Sequence, residues 1–429
     1  MLPPTGCPLS LRAMSWGGPL RIALLTYRGN PHSGGQGVYV RYLSRTLSDL
    51  GHRVTVFSGP PYPELDSDVT LRPVPSLDLY RPEDPFRSPA REEFRDVVDV
   101  LEYGLMCTAA FPEPLTFTLR AARLLRSHRE DFDVVHDNQS LGYGLLALKR
   151  AGFPVVTTVH HPCSIDRRLD LAHARGLKCK IGLSRWYSFT RMQSRVARRL
   201  DRIVCVSESA RADVHRDFRV PVDRTSVVHN GVDADLFRPL PQIERVRGRI
   251  ITTASADVPL KGLFHLIEAL AKVRTEHDAH LVVVGRTSPN GPVARAIERF
   301  GLEGAVRFER SVDWLRLVEL YAQAQVAVVP SLYEGFSLPA VEAMSCGVPL
   351  VATTGGALPE VVGTNGDAGL LVAPGDAGAL AASVGRLLGD TTMRAEIGAA
   401  GRRRALRRFT WRASAEAIVG VYREAIESC

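Results

Sequence analysis

Short runs of β-branched and aliphatic residues alternate with amphipathic stretches along nearly the whole chain. Each run is followed by Gly, Ser, Pro or Asn before the helical periodicity resumes. This alternation predicts an α/β protein with parallel, doubly wound sheets. The predicted strands form two series of five, at 21–26, 54–58, 134–136, 155–159 and 203–207, and then at 250–253, 281–284, 306–309, 326–329 and 350–353.

Two such series predict two Rossmann-like domains, and prolines interrupt the pattern between them near 237–248. Residues 60–89 hold eight prolines and predict a long surface loop, either a ligand contact or a plain excursion into solvent. The expected organisation is an N-terminal tail at 1–19, a first Rossmann-like domain at 20–240, a second at 241–408, and a helix at 409–429 that returns to the first domain.

The 429-residue chain has an ordinary globular composition, with 45% hydrophobic and 23% charged residues. Its seven cysteines are odd in number and scattered, which favours reduced thiols. A secretory signal and a 20-residue apolar span are not recognisable. We therefore expect a cytoplasmic protein, with peripheral attachment to the inner face of the membrane as an open alternative. The spacing of the histidines and cysteines fits no standard zinc site, so no metal is expected.

The net charge of +8 lies in one segment, because residues 161–202 contain eleven basic and three acidic residues. A helical projection of 185–202 places Phe189, Met192, Val196 and Leu200 on one side and most arginines on the other. Three interpretations stay open: a solvated helix over the core, a contact with anionic membrane, or a cationic pocket for an acidic or phosphorylated acceptor. Nucleic acid is not expected, because no aromatic platform accompanies the arginines.

The first chemical motif is the glycine-rich turn 33–39 (SGGQGVY), which follows the first strand and opens a helix. Glycines allow a ligand to approach the backbone, and a helix N-terminus offers free N–H groups to anionic oxygens. A dinucleotide site would need an acidic residue at the end of the second strand, where Ser58 and Gly59 stand instead. A nicotinamide enzyme is therefore not expected.

The second motif, residues 330–349, is more specific. Glu334 falls in a strand-to-helix turn, and Glu342 follows eight residues later inside the predicted helix. The turn would direct backbone N–H groups into the crevice beyond the strand ends, where a phosphate could bind. The two carboxylates are suited to binding hydroxyl groups.

This block resembles the E-x7-E signature of retaining family 4 glycosyltransferases of the GT-B fold. The resemblance extends from about Arg21 to the C-terminus. It implies two Rossmann-like domains facing a cleft, and transfer of a sugar from a UDP- or GDP-linked donor to a hydroxyl acceptor with retention of configuration. No cofactor or metal is implied. Other segments in family order are 34–39, 133–136, 157–160, 206–207, 229–233, 261–262 and 355–360.

The resemblance also implies roles for individual residues. His160 and Glu334 would lie against the transferred sugar, Lys261 would neutralise the diphosphate, and these three form the catalytic set. Glu342 would bind the ribose hydroxyls. The remaining donor contacts would be Gly35, Gln36, Ser207, Asn230, Arg286, Gly335, Phe336, Ser337 and Leu338. The candidate acceptor contacts are Tyr39, His136, Asn138, His161 and Arg185, and the acceptor could be phosphorylated, acidic or lipid-linked.

One departure concerns the diphosphate. Family members pair the lysine with an arginine five or six residues earlier, where this chain has Ser255 and Ala256. The leaving group would then depend on Lys261, helix N-termini and Arg286. Alternatives are a GT-B epimerase or phosphorylase and a catalytically silent, membrane-associated scaffold. Asp233-x-Asp235 resembles a metal-binding motif but is interpreted as part of an interdomain segment.

Overall fold

A computed structural model describes residues 18–30, 35–81, 83–254, 258–363 and 366–429. In these residues the strands form two parallel sheets, ordered β3-β2-β1-β4-β5-β6-β7 and β10-β9-β8-β11-β12-β13. The strands are β1 Arg21–Thr26, β2 Arg53–Ser58, β3 Thr70–Pro73, β4 Val134–Asn138, β5 Val155–Val159, β6 Arg202–Cys205, β7 Thr225–Val227, β8 Arg249–Thr253, β9 His280–Val284, β10 Val306–Glu309, β11 Val326–Val329, β12 Leu350–Thr353 and β13 Leu370–Val372.

Helices connect most successive parallel strands, as the crossover geometry of such sheets favours, whereas the loop 59–69 joins β2 to β3. The two doubly wound, Rossmann-like domains confirm the predicted fold class. The α-helices are α1 Gly35–Asp49, α2 Val97–Cys107, α3 Glu113–Arg126, α4 Tyr143–Arg150, α5 Ser164–His173, α6 Leu177–Trp186, α7 Phe189–Ala197, α8 Glu208–Asp213, α9 Leu263–Val273, α10 Pro292–Arg299, α11 Trp314–Gln323, α12 Leu338–Ser345, α13 Leu358–Val362, α14 Ala377–Gly389, α15 Thr391–Arg408 and α16 Trp411–Glu427.

The central strands are buried on both faces. Every residue of β5, β11 and β12 is buried, so these strands are continuous apolar or small-residue runs rather than alternating ones. All ten predicted strands are present, and this pattern explains why the central ones were predicted. The short strands β3, β7 and β13 were not predicted; β3 lies inside the proline-rich segment that was expected to be a loop. It is an edge strand without a buried residue, and it therefore lacks an apolar run.

The basic segment does not form the single helix that was projected over 185–202. Helix α6 ends at Trp186, and α7 begins at Phe189 after a short turn. The predicted apolar side is present in α7, where Met192 and Val196 are buried. The arginines of α7 point away from the core, so this part of the segment covers the first domain as an amphipathic helix does.

The last helix, α16, returns to the first domain. The chain crosses over where Val232 pairs with Thr410 in a parallel bridge. Trp411 then stacks on Tyr42 of α1, with ring centroids 5.5 Å apart. The core of the first domain is therefore completed by residues from the far end of the chain. Over the described residues, no helix is both long and apolar enough to cross a membrane.

Candidate active site

The sequence-predicted residues follow neighbouring strands in both sheets. In the first domain, Asn138 ends β4 and His160 follows β5. In the second, Lys261 follows β8 and Glu334 follows β11, and these two strands are adjacent. Because the carboxyl ends of parallel strands meet at one sheet edge, these side chains converge in each domain.

The two edges face each other across the domain boundary. Gly335 lies so close to the first domain that a Cβ there would be 2.1 Å from the carbonyl oxygen of His160. A Cβ on Gly35, at the start of α1, would lie 3.9 Å from Cδ1 of Leu338, at the start of α12. Two helix N-termini therefore approach the same space, which favours an anionic ligand there.

Lys261 and Glu334 are in direct contact. Lys261 ends a 3₁₀ turn, and Gly262 follows it with a φ of 63°, packed against the carbonyl oxygen of Pro330. The Lys261 ammonium lies 2.8 Å from Oε1 of Glu334, and the Ser331 hydroxyl donates to the same oxygen at 2.7 Å. An ammonium group has three donors, so Lys261 can hold Glu334 and a phosphate oxygen together.

Glu342 is in a different environment. It lies on α12, is buried, and accepts a hydrogen bond from the Tyr321 hydroxyl at 3.4 Å. Burial raises the pKa of Glu342 to about 7. The two glutamates of the motif therefore have different surroundings: Glu334 pairs with Lys261, and Glu342 is buried with a pKa raised to about 7.

Two buried polar atoms of the predicted donor set have no partner among the described residues. They are the Ser337 hydroxyl and Oδ1 of Asn230. Ser337 also has a φ of 86°, which is uncommon for a residue other than glycine. Because an unpaired buried polar atom is costly, both atoms are suited to hydrogen-bonding a ligand.

His160 is held in a defined orientation. Its Nε2 lies 2.8 Å from Oδ1 of Asn138, whose amide nitrogen in turn donates to Thr26 and to the Gln36 carbonyl. This network assigns the ring proton to Nε2 and leaves Nδ1 as an acceptor. Burial, aided by the nearby charge of His161, lowers the pKa of His160 to about 3. The neutral ring can accept a hydrogen bond from a sugar hydroxyl.

His136 and Tyr39 require a correction. Both are buried, and both ring nitrogens of His136 are bonded, to the hydroxyls of Tyr422 and Thr158 at 2.6 and 2.7 Å. The Tyr39 hydroxyl shares Thr158 at 2.9 Å. The polar atoms of both side chains form hydrogen bonds within the protein. These bonds connect α1, β4, β5 and α16, so the two residues do not contact an acceptor directly.

The side chains of Ser207 and Phe336 also make their contacts within the protein. The Ser207 hydroxyl donates to the carbonyl of Gly335 at 2.6 Å and accepts from the amide of Ala210, capping α8 and linking the two domains. The Phe336 ring packs against those of His229 and Phe409. Only the backbone of Phe336 stays available to a donor.

His161 and Arg185 lie further out. Nε2 of His161 is 2.9 Å from Asp166, and its ring meets Tyr333 of the second domain edge-on. Arg185 is exposed, and its Nε donates to the carbonyl of Thr108 at 2.5 Å. Neither is brought against His160 by a hydrogen bond.

Some of the residues expected to contact a diphosphate lie among the described residues and others do not. Arg286 is exposed in the loop after β9 and forms no hydrogen bond or ion pair with the residues that the structure describes. Ser255 and Ala256 lie outside the described residues, as do Ser33 and Gly34 of the glycine turn. Asp233 uses Oδ1 to accept from the amides of Asp235 and Leu236, as a turn residue does. In the described ranges, no cluster of potential metal ligands is found.

Sequence reasoning missed the residues that join the domains. Glu360 accepts from His229 at 2.6 Å and from the amide of Glu208. Burial acts to raise the pKa of Glu360, but these hydrogen bonds outweigh it and lower the value. Tyr333 donates to Asp213 in the same interface. Glu360 lies in the family segment 355–360, and this was the only feature of the sequence that pointed to it.

Two family models match the chain: "Glycosyltransferase Family 4" over residues 33–236 and "Glycosyl transferases group 1" over 247–390. The MMP alpha-(1->4)-mannosyltransferase of Mycolicibacterium hassiacum is 51% identical over 408 residues, which are 95% of this chain and 98% of that protein. The chain belongs to the family 4 glycosyltransferases. It is therefore a glycosyltransferase of the GT-B fold, and the predicted membership of this family is confirmed.

More distant relatives agree with this family. The glycosyltransferase is 30% identical to D-inositol 3-phosphate glycosyltransferase 2 of Catenulispora acidiphila, over 95% of this chain and 96% of that one. Among solved structures, sucrose-phosphate synthase from Thermosynechococcus elongatus superposes with a TM-score of 0.70 at 24% identity, covering 95% and 99% of the two chains. At that identity the similarity concerns the fold.

Proposed function

We propose that this glycosyltransferase transfers a mannosyl residue from a UDP- or GDP-linked donor to a hydroxyl of a carbohydrate acceptor, forming an α-(1→4) linkage with retention. The observation that carries the proposal is 51% identity across 98% of a relative with that named activity. Retention follows if the donor is α-linked, because donor and product then have the same anomeric configuration.

In this proposal the second domain binds the donor. The ribose hydroxyls donate to ionised Glu342, and the diphosphate binds Lys261 together with the amides at the start of α12. The Ser337 hydroxyl and Oδ1 of Asn230, both buried without a partner among the described residues, supply two further contacts. Glu334, held by Lys261 and Ser331, accepts from a hydroxyl of the sugar.

The transfer step breaks the bond between the anomeric carbon and the diphosphate oxygen. The acceptor oxygen bonds to the anomeric carbon on the same face, and its proton passes to the leaving phosphate oxygen. Lys261 stabilises the negative charge that develops on the diphosphate. Neutral His160 accepts a hydrogen bond through Nδ1 and orients the sugar, and orientation of this kind contributes to the rate by proximity.

A phosphorylated acceptor is the second candidate. It is favoured by the excess of basic residues at 161–202 and by the relative named for D-inositol 3-phosphate. An acceptor phosphate would gain charge-assisted hydrogen bonds from arginines there. The two candidates differ in acceptor charge and share the donor site.

The test is a panel of UDP- and GDP-linked sugars scored by thermal shift, followed by transfer assays with the best donor. The acceptors are an α-(1→4)-linked mannoside and an inositol phosphate, and proton NMR reports the new linkage. The proposal expects nucleoside diphosphate release only with the mannoside, and an α product. Release without acceptor, or a β product, would contradict it. Transfer only to the inositol phosphate would support the second candidate.

A further inference from the structure

The proline-rich segment 60–89 contributes to a group of aromatic rings on the outside of the first domain. The ring of Tyr80 lies 5.4 Å from those of Phe86 and Phe111 and 5.5 Å from that of Trp186, measured between centroids. Phe111 and Trp186 are also neighbours, at 5.0 Å. The four residues come from the loop after β3, the segment before α3 and the end of α6. We call them the outer aromatic cluster.

The cluster is open to solvent. Phe86 is 60% exposed, and the other three side chains are only partly buried. Phe86 also has a φ of 64°, which is unfavourable for a bulky residue. Its amide donates to the carbonyl of Leu79 at 2.7 Å, so the loop closes on itself and holds the ring outward. Packing within the chain does not account for an exposed ring on such a backbone, which points to a contact with a ligand.

The cluster begins beside the sheet edge that carries His160. Thr26 ends β1, and its hydroxyl accepts from the amide of Asn138, the residue that holds His160. Arg28 follows two residues later, about 7 Å further along an extended chain. Its guanidinium carbon lies 5.5 and 5.6 Å from two ring centroids of the cluster. A ligand that reaches His160 from the first domain can therefore extend over the aromatic rings.

The charges beside the cluster are paired. Arg28 donates to the buried Glu113 at 2.7 Å, and Arg87, which follows Phe86, pairs with Glu93 at 2.5 Å. Because each guanidinium group has a carboxylate partner, these arginines favour an uncharged, hydroxyl-rich ligand rather than an anion. Their remaining N–H groups can still donate to hydroxyl oxygens at the rim of the cluster.

A hexose has the same combination of surfaces, because one face of its ring consists of C–H groups and its rim carries hydroxyls. Stacking the C–H face on aromatic rings removes apolar surface from water, while the hydroxyls keep their hydrogen bonds. We propose that the outer aromatic cluster binds sugar rings of the acceptor beyond the ring that receives the mannosyl group. This inference rests on the proposed function, in which the acceptor is a mannoside, and it makes the proline-rich segment a ligand contact.

The experiment compares a short with a long acceptor, methyl α-mannoside and a linear α-(1→4)-linked methyl mannotetraoside. Calorimetry measures the binding of each sugar to the full-length protein, and transfer assays measure KM and kcat. Phe86→Ala removes an exposed ring, and Trp186→Leu keeps an apolar contact for α6 without the flat ring. Leu315→Ala is the control, because this leucine on α11 of the other domain is 71% exposed. Phe86→Ala and Leu315→Ala should unfold at the wild-type temperature, because both side chains are mostly exposed.

We expect the wild type to bind the tetraoside about tenfold more tightly than the monosaccharide. Both cluster variants should lose most of this gain and raise KM for the tetraoside, while kcat and binding of the monosaccharide stay unchanged. Leu315→Ala should behave like the wild type.

Equal wild-type affinity for the two sugars would overturn the inference, and so would equal losses for both sugars or in the control. A wild-type dimer in light scattering that Phe86→Ala dissociates without weakening tetraoside binding would identify a self-association surface instead. If the wild type binds the tetraoside but transfers no mannose to it, the proposed function fails. Calorimetry with the two cluster variants still decides whether the cluster binds sugar rings in that case.

Discussion

Burial of Glu342 should destabilise the folded protein near neutral pH, where the proposed donor contact needs the ionised carboxylate. Its pKa is about 7 in the folded state against an ordinary 4.5. The folded protein therefore keeps this proton between these values while the unfolded chain releases it. The free energy of unfolding consequently falls as the pH rises through this window, by about 1.4 kcal/mol per pH unit.

Glu342→Gln replaces the carboxylate by a neutral group of similar size. Relative to the wild type, the variant should gain about 2–3 kcal/mol of stability between pH 5 and pH 8. Glu113 and Asp137, whose pKa values burial also raises, titrate in the same range. Glu113 and Asp137 are present in both proteins, so their contributions cancel in the difference in unfolding free energy.

The assay is urea unfolding of both proteins at half-unit steps of pH, together with calorimetric titration of the nucleoside diphosphate. If the ionised carboxylate binds the ribose, wild-type binding should release up to one proton near pH 6. Affinity relative to Glu342→Gln should rise up to about pH 7 and then level off. The nucleoside diphosphate ionises in the same way in both titrations, so its ionisation does not affect the difference between the two proteins.

Two results would refute this reasoning. A stability difference that does not change between pH 5 and pH 8 would mean that Glu342 is not held protonated by burial. If the variant is stabilised as expected but binds the nucleotide like the wild type, Glu342 does not contribute to donor binding.

Three further results are expected. Lys261→Ala should lower kcat about 100-fold or more and weaken nucleoside diphosphate binding, because the cation proposed to bind the diphosphate is lost; a purified variant with normal steady-state rates would contradict this. His160→Ala should lower kcat to a similar extent, and the wild-type pH–rate profile should show no inflection from this histidine between pH 5 and 8, since its pKa is about 3. Gly335→Ala should keep each domain folded but separate the two edges, because the new Cβ would lie 2.1 Å from the His160 carbonyl oxygen. Small-angle scattering should then show a more open molecule, and an unchanged profile with full activity would disprove the tight contact.

The sequence predicted the central strands well because both their faces are buried, which demands apolar runs. The family resemblance assigned Lys261 and Glu334 to one site, but their direct contact became visible only in the structure, where both follow adjacent strands of one sheet. The edge strand β3 could not be predicted, because an exposed strand with a proline leaves no periodic signal.

Contacts between elements far apart in the chain could not be predicted from the sequence either. His136 appears in a family segment and was assigned to an acceptor, yet its partner Tyr422 is 286 residues away. The contact of Tyr333 with Asp213 depends on how two domains meet, which no local pattern encodes. The environment of Glu342 likewise depends on Tyr321, a residue of a neighbouring helix.

The return of α16 to the first domain has a consequence for how the protein is made. Trp411 and Tyr422 belong to the core of a domain whose other residues leave the ribosome before the entire second domain is synthesised. Until α16 arrives, Tyr42 and His136 lack their partners. The first domain therefore completes its core only after α16 has been synthesised, and a fragment limited to residues 20–240 would have an uncovered apolar face.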